Sequence, residues 1–191
     1  MEGAGVTART NRAVFLDRDG TIIEDVDVLT RIEEMRILPG VPEALRRLRE
    51  AGFLLIIVTN QSAIARGRLT ESGLAVLHEE LNRRLAAEGA ALDAFYYCPH
   101  LPGAVEAAYD RACRCRKPAP GLLRQAAREW RVKLRRSYMV GDSERDVEAG
   151  RRAGCTTILI GSGSPVPADA AAADLGTAAS IILRGAPLDR A

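Results

Sequence analysis

The chain has 191 residues, with 27 basic and 25 acidic side chains and a formal net charge of +2. That length suits a single domain able to bury its own core, and the near balance of charge gives no footprint for nucleic acid or an anionic membrane as partner. No apolar stretch approaches the roughly 20 residues of a bilayer-spanning helix. Residues 1–11 are polar with small side chains and lack the apolar core of a secretory signal. They are expected to be a flexible leader to one domain over 12–191, in a soluble, cytoplasmic protein. No coiled-coil heptad suggests assembly, so a monomer is expected.

Strand and helix signals then alternate. Ala13 to Leu16 is an apolar run of strand length, followed at once by Asp17-Arg18-Asp19-Gly20-Thr21-Ile22. Pro42 to Ala51 reads as a helix, with proline in its first turn and Gly52 as its stop. Phe53 to Val58 is continuously apolar, as in a parallel strand covered on both faces. Thr70 can cap a helix in which Leu74, Leu77, Leu81 and Leu85 recur at helical spacing up to Gly89. Ala94 to Tyr97 reads as a strand, Gly121 to Trp130 as a helix and Ser137 to Val140 as a strand ending at Gly141-Asp142. Asp146 to Ala153 is a helix closed by Gly154, and Thr156 to Ile160 a strand. Residues 161–170 are a loop, and Ala171 to Leu183 a weak helix with a short strand at its end. This alternation implies a central parallel sheet with helices on both faces, three layers in all. Ligands of such sheets bind at the carboxyl ends of the strands, where Asp17 and Asp19, Thr59 and Asn60, and Asp142 all fall.

Two carboxylates two positions apart, where a strand enters a glycine turn, suit chemistry: one can attack an electrophile while the other moves a proton. The alternative is a polar turn. A calcium loop fails on register, because Gly20 comes too early. A second constellation is Cys98-Pro99-His100 followed by Cys113-Arg114-Cys115. Three thiolates and an imidazole match a closed, structural zinc site, against which stand an ordinary loop or a Cys98–Cys113 disulfide. Cys115 immediately precedes Arg116 and Lys117, so a metal there would place both cations. Cys155 reads as a core thiol, His78 as a surface or boundary residue, Tyr96 and Tyr97 as strand residues, and Glu144 and Arg145 as solvated.

Asp17-x-Asp19, Thr59-Asn60-Gln61-Ser62, Arg116-Lys117-Pro118 and Gly141-Asp142-Ser143-x-x-Asp146 together resemble, in order, the four motifs of the haloacid-dehalogenase (HAD) phosphatase superfamily. The resemblance runs from about Ala13 to Ile160. It implies a Rossmann-like fold with Asp17 as nucleophile, forming an aspartyl-phosphate, and Asp19 as the acid that protonates the leaving oxygen and then activates water. Neighbouring carboxylates are expected to crowd Asp19. It also implies magnesium held by Asp17, Asp142 and the backbone carbonyl of Asp19, with Lys117 and the Thr59 hydroxyl on the phosphate. Asp146 is left with two readings, a helix N-cap or an anchor behind the metal. The stretch between Asp19 and Thr59 has no room for a substantial cap, which argues against a phosphomutase. The retained Asp17, Asp19, Lys117 and Asp142 argue against a non-catalytic phosphosugar-binding protein.

Cys-Pro-His with Cys-x-Cys-Arg-Lys-Pro-x-Pro-Gly, and Thr59-Asn60-Gln61-Ser62-x-Ile64-Ala65-Arg66-Gly67, resemble the D-glycero-D-manno-heptose 1,7-bisphosphate 7-phosphatase family. The related histidinol-phosphate phosphatases share these motifs. The resemblance implies a phosphosugar substrate contacted by Asp25, Val26, Asp27, Val28, Thr59, Asn60, Gln61, Ser62, Arg116, Lys117 and Ser143. Arg116 is read either as a fork for a distal phosphate or as an exposed loop arginine. Two departures bear on the anomer or the substrate itself. Ser143 replaces the lysine usual in that family, and Val26-Asp27-Val28 its His-Gly-Tyr.

Overall fold

Apolar runs bounded by glycine or polar turns become strands in the computed structural model, which describes residues 11–161 and 167–185. The strands are β1 (Ala13–Leu16), β2 (Leu54–Asn60), β3 (Ala94–Cys98), β4 (Tyr138–Gly141), β5 (Thr156–Ile160) and β6 (Ala170–Ala172). Among the described residues they form one sheet in the order β3-β2-β1-β4-β5-β6, with every neighbouring pair parallel. The helices are α1 (Val41–Glu50), α2 (Ser62–Ala65), α3 (Glu71–Ala87), α4 (Gly121–Glu129), α5 (Glu144–Ala153) and α6 (Leu175–Leu183). The expected Rossmann-like, three-layer architecture is the one observed.

Strand side chains alternate between the two faces, and each face has its own helices. Val14, Leu16, Leu55, Ile57, Tyr138 and Val140 pack into one buried cluster with Leu45 and Leu48 of α1, Leu81 and Leu85 of α3 and Ile182 of α6. Ala13, Phe15, Ile56, Val58 and Met139 pack into the other, with Leu122 and Leu123 of α4 and Ala149 of α5. Each fully buried Leu or Ile stabilises by about 1.5–3 kcal/mol relative to exposure, so a sheet covered on both faces needs strands that are apolar throughout.

Several boundaries differ from the sequence reading. β2 continues through Thr59 and Asn60, which pair in register with Tyr97 and Cys98, so both lie within the strand rather than after it. The four-residue α2 was not anticipated. α5 begins two residues earlier than expected, because Ser143 is its N-cap and Asp146 sits in its first turn. At the other end, β6 precedes α6 rather than following it. Asn11, assigned to the leader, accepts a backbone hydrogen bond from Lys133 at 2.9 Å and donates one to Arg131 at 3.0 Å. Residues 1–10 of the expected leader, and 162–166 of the expected loop, lie outside the described residues. Between β1 and β2 the chain forms one 3₁₀ turn at Ile32–Glu34 and α1, with no cap domain. Among the described residues no helix is long and apolar enough to cross a membrane.

Candidate active site and metal cluster

The strand order reverses at β1, whose neighbours are β2 and β4. Their carboxyl ends open into a cleft of about 220 Å³ lined by Asp17 and Asp19 from β1, Thr59 to Ala63 from β2 and α2, Arg116 and Lys117, and Asp142, Ser143 and Arg145 after β4. Arg18 and Asp25 to Leu29 form the remaining wall. Every residue expected at the catalytic or substrate site therefore borders one cavity.

Lys117 holds its centre. Its ammonium is almost fully buried and lies 2.9 Å from Asp17 Oδ1 and 2.5 Å from Asp146 Oδ1, and it donates to the Val58 carbonyl at 2.8 Å. Two ion-pair contacts and one hydrogen bond thus surround its charge. Burial alone would lower its pKa, but Asp17 and Asp146 outweigh that and raise it. Its backbone is pinned by Asn60, whose Oδ1 accepts from Lys117 N at 3.0 Å and whose Nδ2 donates to Lys117 O at 3.1 Å. Asn60 thus acts on the chain that carries the lysine.

Asp17 is only 14 % exposed. Burial pushes its carboxyl up to about 7, with Lys117 opposing and Asp146 adding to the rise. Asp142 is likewise raised, first by burial and then by Asp146 and Asp25. Carboxylate oxygens of Asp17, Asp142 and Asp146 lie within 4.8 Å of one another. That is a concentration of hard oxygen donors and negative charge that one lysine does not neutralise, and it fits a divalent cation.

Two glycines allow this crowding. Gly20 has φ +71°, and a Cβ there would meet Asp142 Oδ2 at 2.0 Å. A Cβ on Gly141 would lie 2.4 Å from the Asp146 carboxylate. Asp146 is fully buried, and its Oδ2 accepts from Ser143 N at 3.1 Å and Ser143 Oγ at 2.6 Å. This is the N3 half of a capping box, so the N-cap reading of Asp146 is corrected: Ser143 is the cap. The Ser143 hydroxyl, expected on substrate, is committed to that carboxylate.

Asp19 is surrounded by donors rather than by the carboxylates expected. The Arg18 guanidinium donates from Nη2 to both carboxylate oxygens at 2.9 Å and from Nε to Oδ1 at 3.1 Å. Gln61 Nε2 donates to Asp19 Oδ2 at 3.0 Å and to Thr59 Oγ1 at 2.9 Å, while its Oε1 accepts from Arg18 at 3.0 Å. Gln61 lines the cleft, but its amide is occupied by these neighbours.

Sequence reasoning missed Arg18 and His78. Arg18 is 2 % exposed, and its Nη1 lies 3.4 Å from Nε2 of His78, which is buried on α3 rather than at the surface. Both had a signal. His78 follows Leu74 by four positions on the apolar stripe, and extending the alternation past Leu16 puts Arg18 on the face that α3 covers. Arg145, expected to be solvated, is exposed but borders the cleft, as does Arg116, whose Nη1 donates to His100 O at 3.2 Å. Asp27 has φ +47° and reaches the Arg68 guanidinium at 3.5 Å. Tyr96 and Tyr97 are strand residues, and Cys155 is a buried thiol raised to about 12 by burial.

The other cluster lies behind Lys117. Sulfurs of Cys98, Cys113 and Cys115 are 3.1–3.5 Å apart, and His100 Nδ1 is 3.3 Å from Cys115 Sγ and 3.7 Å from Cys98 Sγ. The cysteines are free, so no Cys98–Cys113 disulfide exists. Tetrahedral Zn–S bonds of about 2.3 Å would set sulfurs roughly 3.8 Å apart, somewhat wider than the separations seen. Burial raises the Cys98 thiol. At Cys113 burial acts the same way, but hydrogen bonds from Cys115, Arg116 N and Cys98 prevail and lower it. These four residues could hold a metal ion. The cluster touches the cleft through Cys115, next to Arg116, through the Cys98 carbonyl, which accepts from Gln61 N at 2.8 Å, and through Arg116, which donates from Nη1 to His100 O and from N to Cys113 Sγ.

Comparison with known proteins agrees with this arrangement. The HAD-hydrolase-like family matches residues 114–182. A D-glycero-beta-D-manno-heptose-1,7-bisphosphate 7-phosphatase of Yersinia pestis is 44% identical, over 84% of this chain and 86% of its own length. The enzyme of that name from Escherichia coli K12 is 42% identical, over 85% and 86%. A crystal structure of D,D-heptose 1,7-bisphosphate phosphatase from B. bronchiseptica, complexed with magnesium and phosphate, superposes with a TM-score of 0.82 at 34% identity, covering 92% of this chain and 99% of that one. Fold and site thus define a HAD-type phosphatase, a hydrolase of phosphate monoesters. Within that class the chain belongs to the D-glycero-D-manno-heptose 1,7-bisphosphate 7-phosphatase family.

Proposed function

We propose that this chain removes the 7-phosphate of D-glycero-D-manno-heptose 1,7-bisphosphate through an aspartyl-phosphate on Asp17. The observation that carries the reading is the Asp17–Lys117–Asp146 contact at the floor of a cleft that Asp19 also borders. An Asp17 oxygen bonds to phosphorus as the bond to the sugar oxygen breaks. That oxygen keeps the electron pair and takes the Asp19 proton, leaving as an alcohol. Asp19, now a carboxylate, takes a proton from water as the water oxygen bonds to phosphorus. The Asp17–phosphorus bond breaks, returning the Asp17 carboxylate and inorganic phosphate. Lys117 and the Thr59 hydroxyl offset charge on the transferred group. Magnesium would be held by Asp17, Asp142 and the Asp19 carbonyl, and when bound supplies positive charge against the phosphate oxygens. Cys98, His100, Cys113 and Cys115 would hold a structural zinc. Arg116, tethered through Nη1 to the His100 carbonyl, and Arg145 are the cations that border the cleft for the second phosphate.

The curated relatives are named for the β-anomer, which supports that anomer here. A cytoplasmic monomer completes the reading, and a thiolate metal cluster suits a reducing compartment. The test compares kcat/KM for the α- and β-heptose 1,7-bisphosphates, histidinol phosphate and fructose 1,6-bisphosphate, with Asp17→Asn as the inactive control. A preference for the β-heptose of tenfold or more, about 1.4 kcal/mol in transition-state binding, is expected. A smaller preference rejects the substrate, and turnover by a folded Asp17→Asn protein rejects the nucleophile.

A further inference from the structure

Arginine is seldom buried without a full set of acceptors. Arg18 is buried at the edge of a polar cleft, and one edge of its guanidinium reaches α3. Its fork grips both oxygens of Asp19 and the Gln61 carbonyl oxygen, and its remaining edge meets Nε2 of His78. A guanidinium only donates, so Nε2 of His78 is the acceptor and the ring carries its proton on Nδ1. Burial and the adjacent Arg18 charge hold His78 down to about 3, keeping it neutral. The ring is clamped in turn, stacked on Phe95 with centroids 4.6 Å apart and edge-on to Tyr97 at 6.2 Å. A protonated or displaced imidazole would leave Arg18 facing a second cation or a void.

We propose that His78 and Arg18 are positioning residues, His78 seating the Arg18 guanidinium so that it holds the Asp19 carboxyl in the one orientation that proton transfer requires. The proposal rests on Asp19 being the acid–base group of the reaction above. Core packing of α3 is thereby coupled, through Arg18, to the proton-transfer geometry. Gln61 takes part from the other side, tying Asp19 to Thr59.

The test exploits leaving-group chemistry. A sugar oxygen needs a proton as it departs, whereas the phenolate of p-nitrophenyl phosphate is stable without one. kcat/KM for both substrates is measured on the metal-loaded protein, for His78→Leu, His78→Gln and Arg18→Lys, with thermal melts as the check on folding. His78→Leu is expected to lower the sugar-phosphate value about tenfold while p-nitrophenyl phosphate stays within twofold. His78→Gln restores an acceptor and is expected to recover most of the loss. Arg18→Lys keeps the charge but not the fork, so it is expected to show the same split and carries the test if His78→Leu does not fold. Equal losses on both substrates, or no loss on either, overturn the proposal. Asp19→Asn separates the two readings. If Asp19→Asn itself shows no split, the acid–base assignment is wrong; if it does and the Arg18 and His78 variants do not, only the positioning role fails.

Discussion

Replacing Lys117 by methionine removes the one cation buried between Asp17 and Asp146 while nearly conserving side-chain volume. The ammonium has oxygens at 2.9, 2.5 and 2.8 Å, so its loss strands two buried carboxylates face to face and removes its hydrogen bond to the Val58 carbonyl. Breaking a buried ion pair by removing one partner costs about 3–5 kcal/mol. In a chain of this size each kcal/mol shifts the melting temperature by roughly 2–4 °C, which gives an expected fall of roughly 6–20 °C near pH 8. The loss should shrink on acidification. Asp17 already stands at about 7 with the lysine present, and without it the carboxyl moves further up, whereas an unfolded aspartate titrates near ~3.9. The folded variant therefore binds more protons than the unfolded chain above about pH 4, and its stability falls as pH rises through the folded pKa. Thermal melts followed by circular dichroism from pH 5 to 8.5, in magnesium-free buffer, measure this directly. Turnover should also drop, by about 10²–10³ in kcat, as when a donor to a developing anion is removed. A variant destabilised by under about 1 kcal/mol, or by the same amount at every pH, would refute the idea that Lys117 holds the two carboxylates together.

Two more expectations follow from the same geometry. Gly20→Ala drives a methyl into Asp142 Oδ2 at a position with φ +71°, so the folded protein should need at least tenfold more magnesium for half-maximal activity; an unchanged magnesium requirement would mean Asp142 plays no part in holding the ion. Purified, tag-free protein should contain about one zinc per chain, and Cys115→Ser should lose it together with most of the activity, since Arg116 and Lys117 follow directly. Metal analysis finding no zinc in the parent would reject the cluster as a zinc site.

Much of the site was legible because chemistry here is encoded at strand ends. Asp17, Asp19, Thr59 and Asp142 could be singled out by their place near strand ends and Lys117 by the motif resemblance, and the cleft gathers all of them. The alternating apolar runs announced a parallel sheet covered on both faces, since only doubly buried strands lack polar alternation. Asp146 was half legible. Its spacing from Asp142 marked it out, but only the capping geometry of Ser143 and the contact with Lys117 show which way it faces. The Ala171 to Leu183 segment was misordered because its alanines favour helix locally, and pairing with β5 overrides that preference at Ala170–Ala172.

What the amino-acid order determined without help was the inventory: which carboxylates, cations and thiols exist, and which follow a strand or precede a helix. Those are properties of neighbours in the chain, governed by local periodicity and turn chemistry. Only the tertiary structure settled which partner each polar group takes when buried. The Arg18–His78 and Lys117–Asp146 contacts join segments far apart in the chain, and sheet order brings them together. An unpaired buried charge is costly enough that packing, rather than local preference, selects its partner.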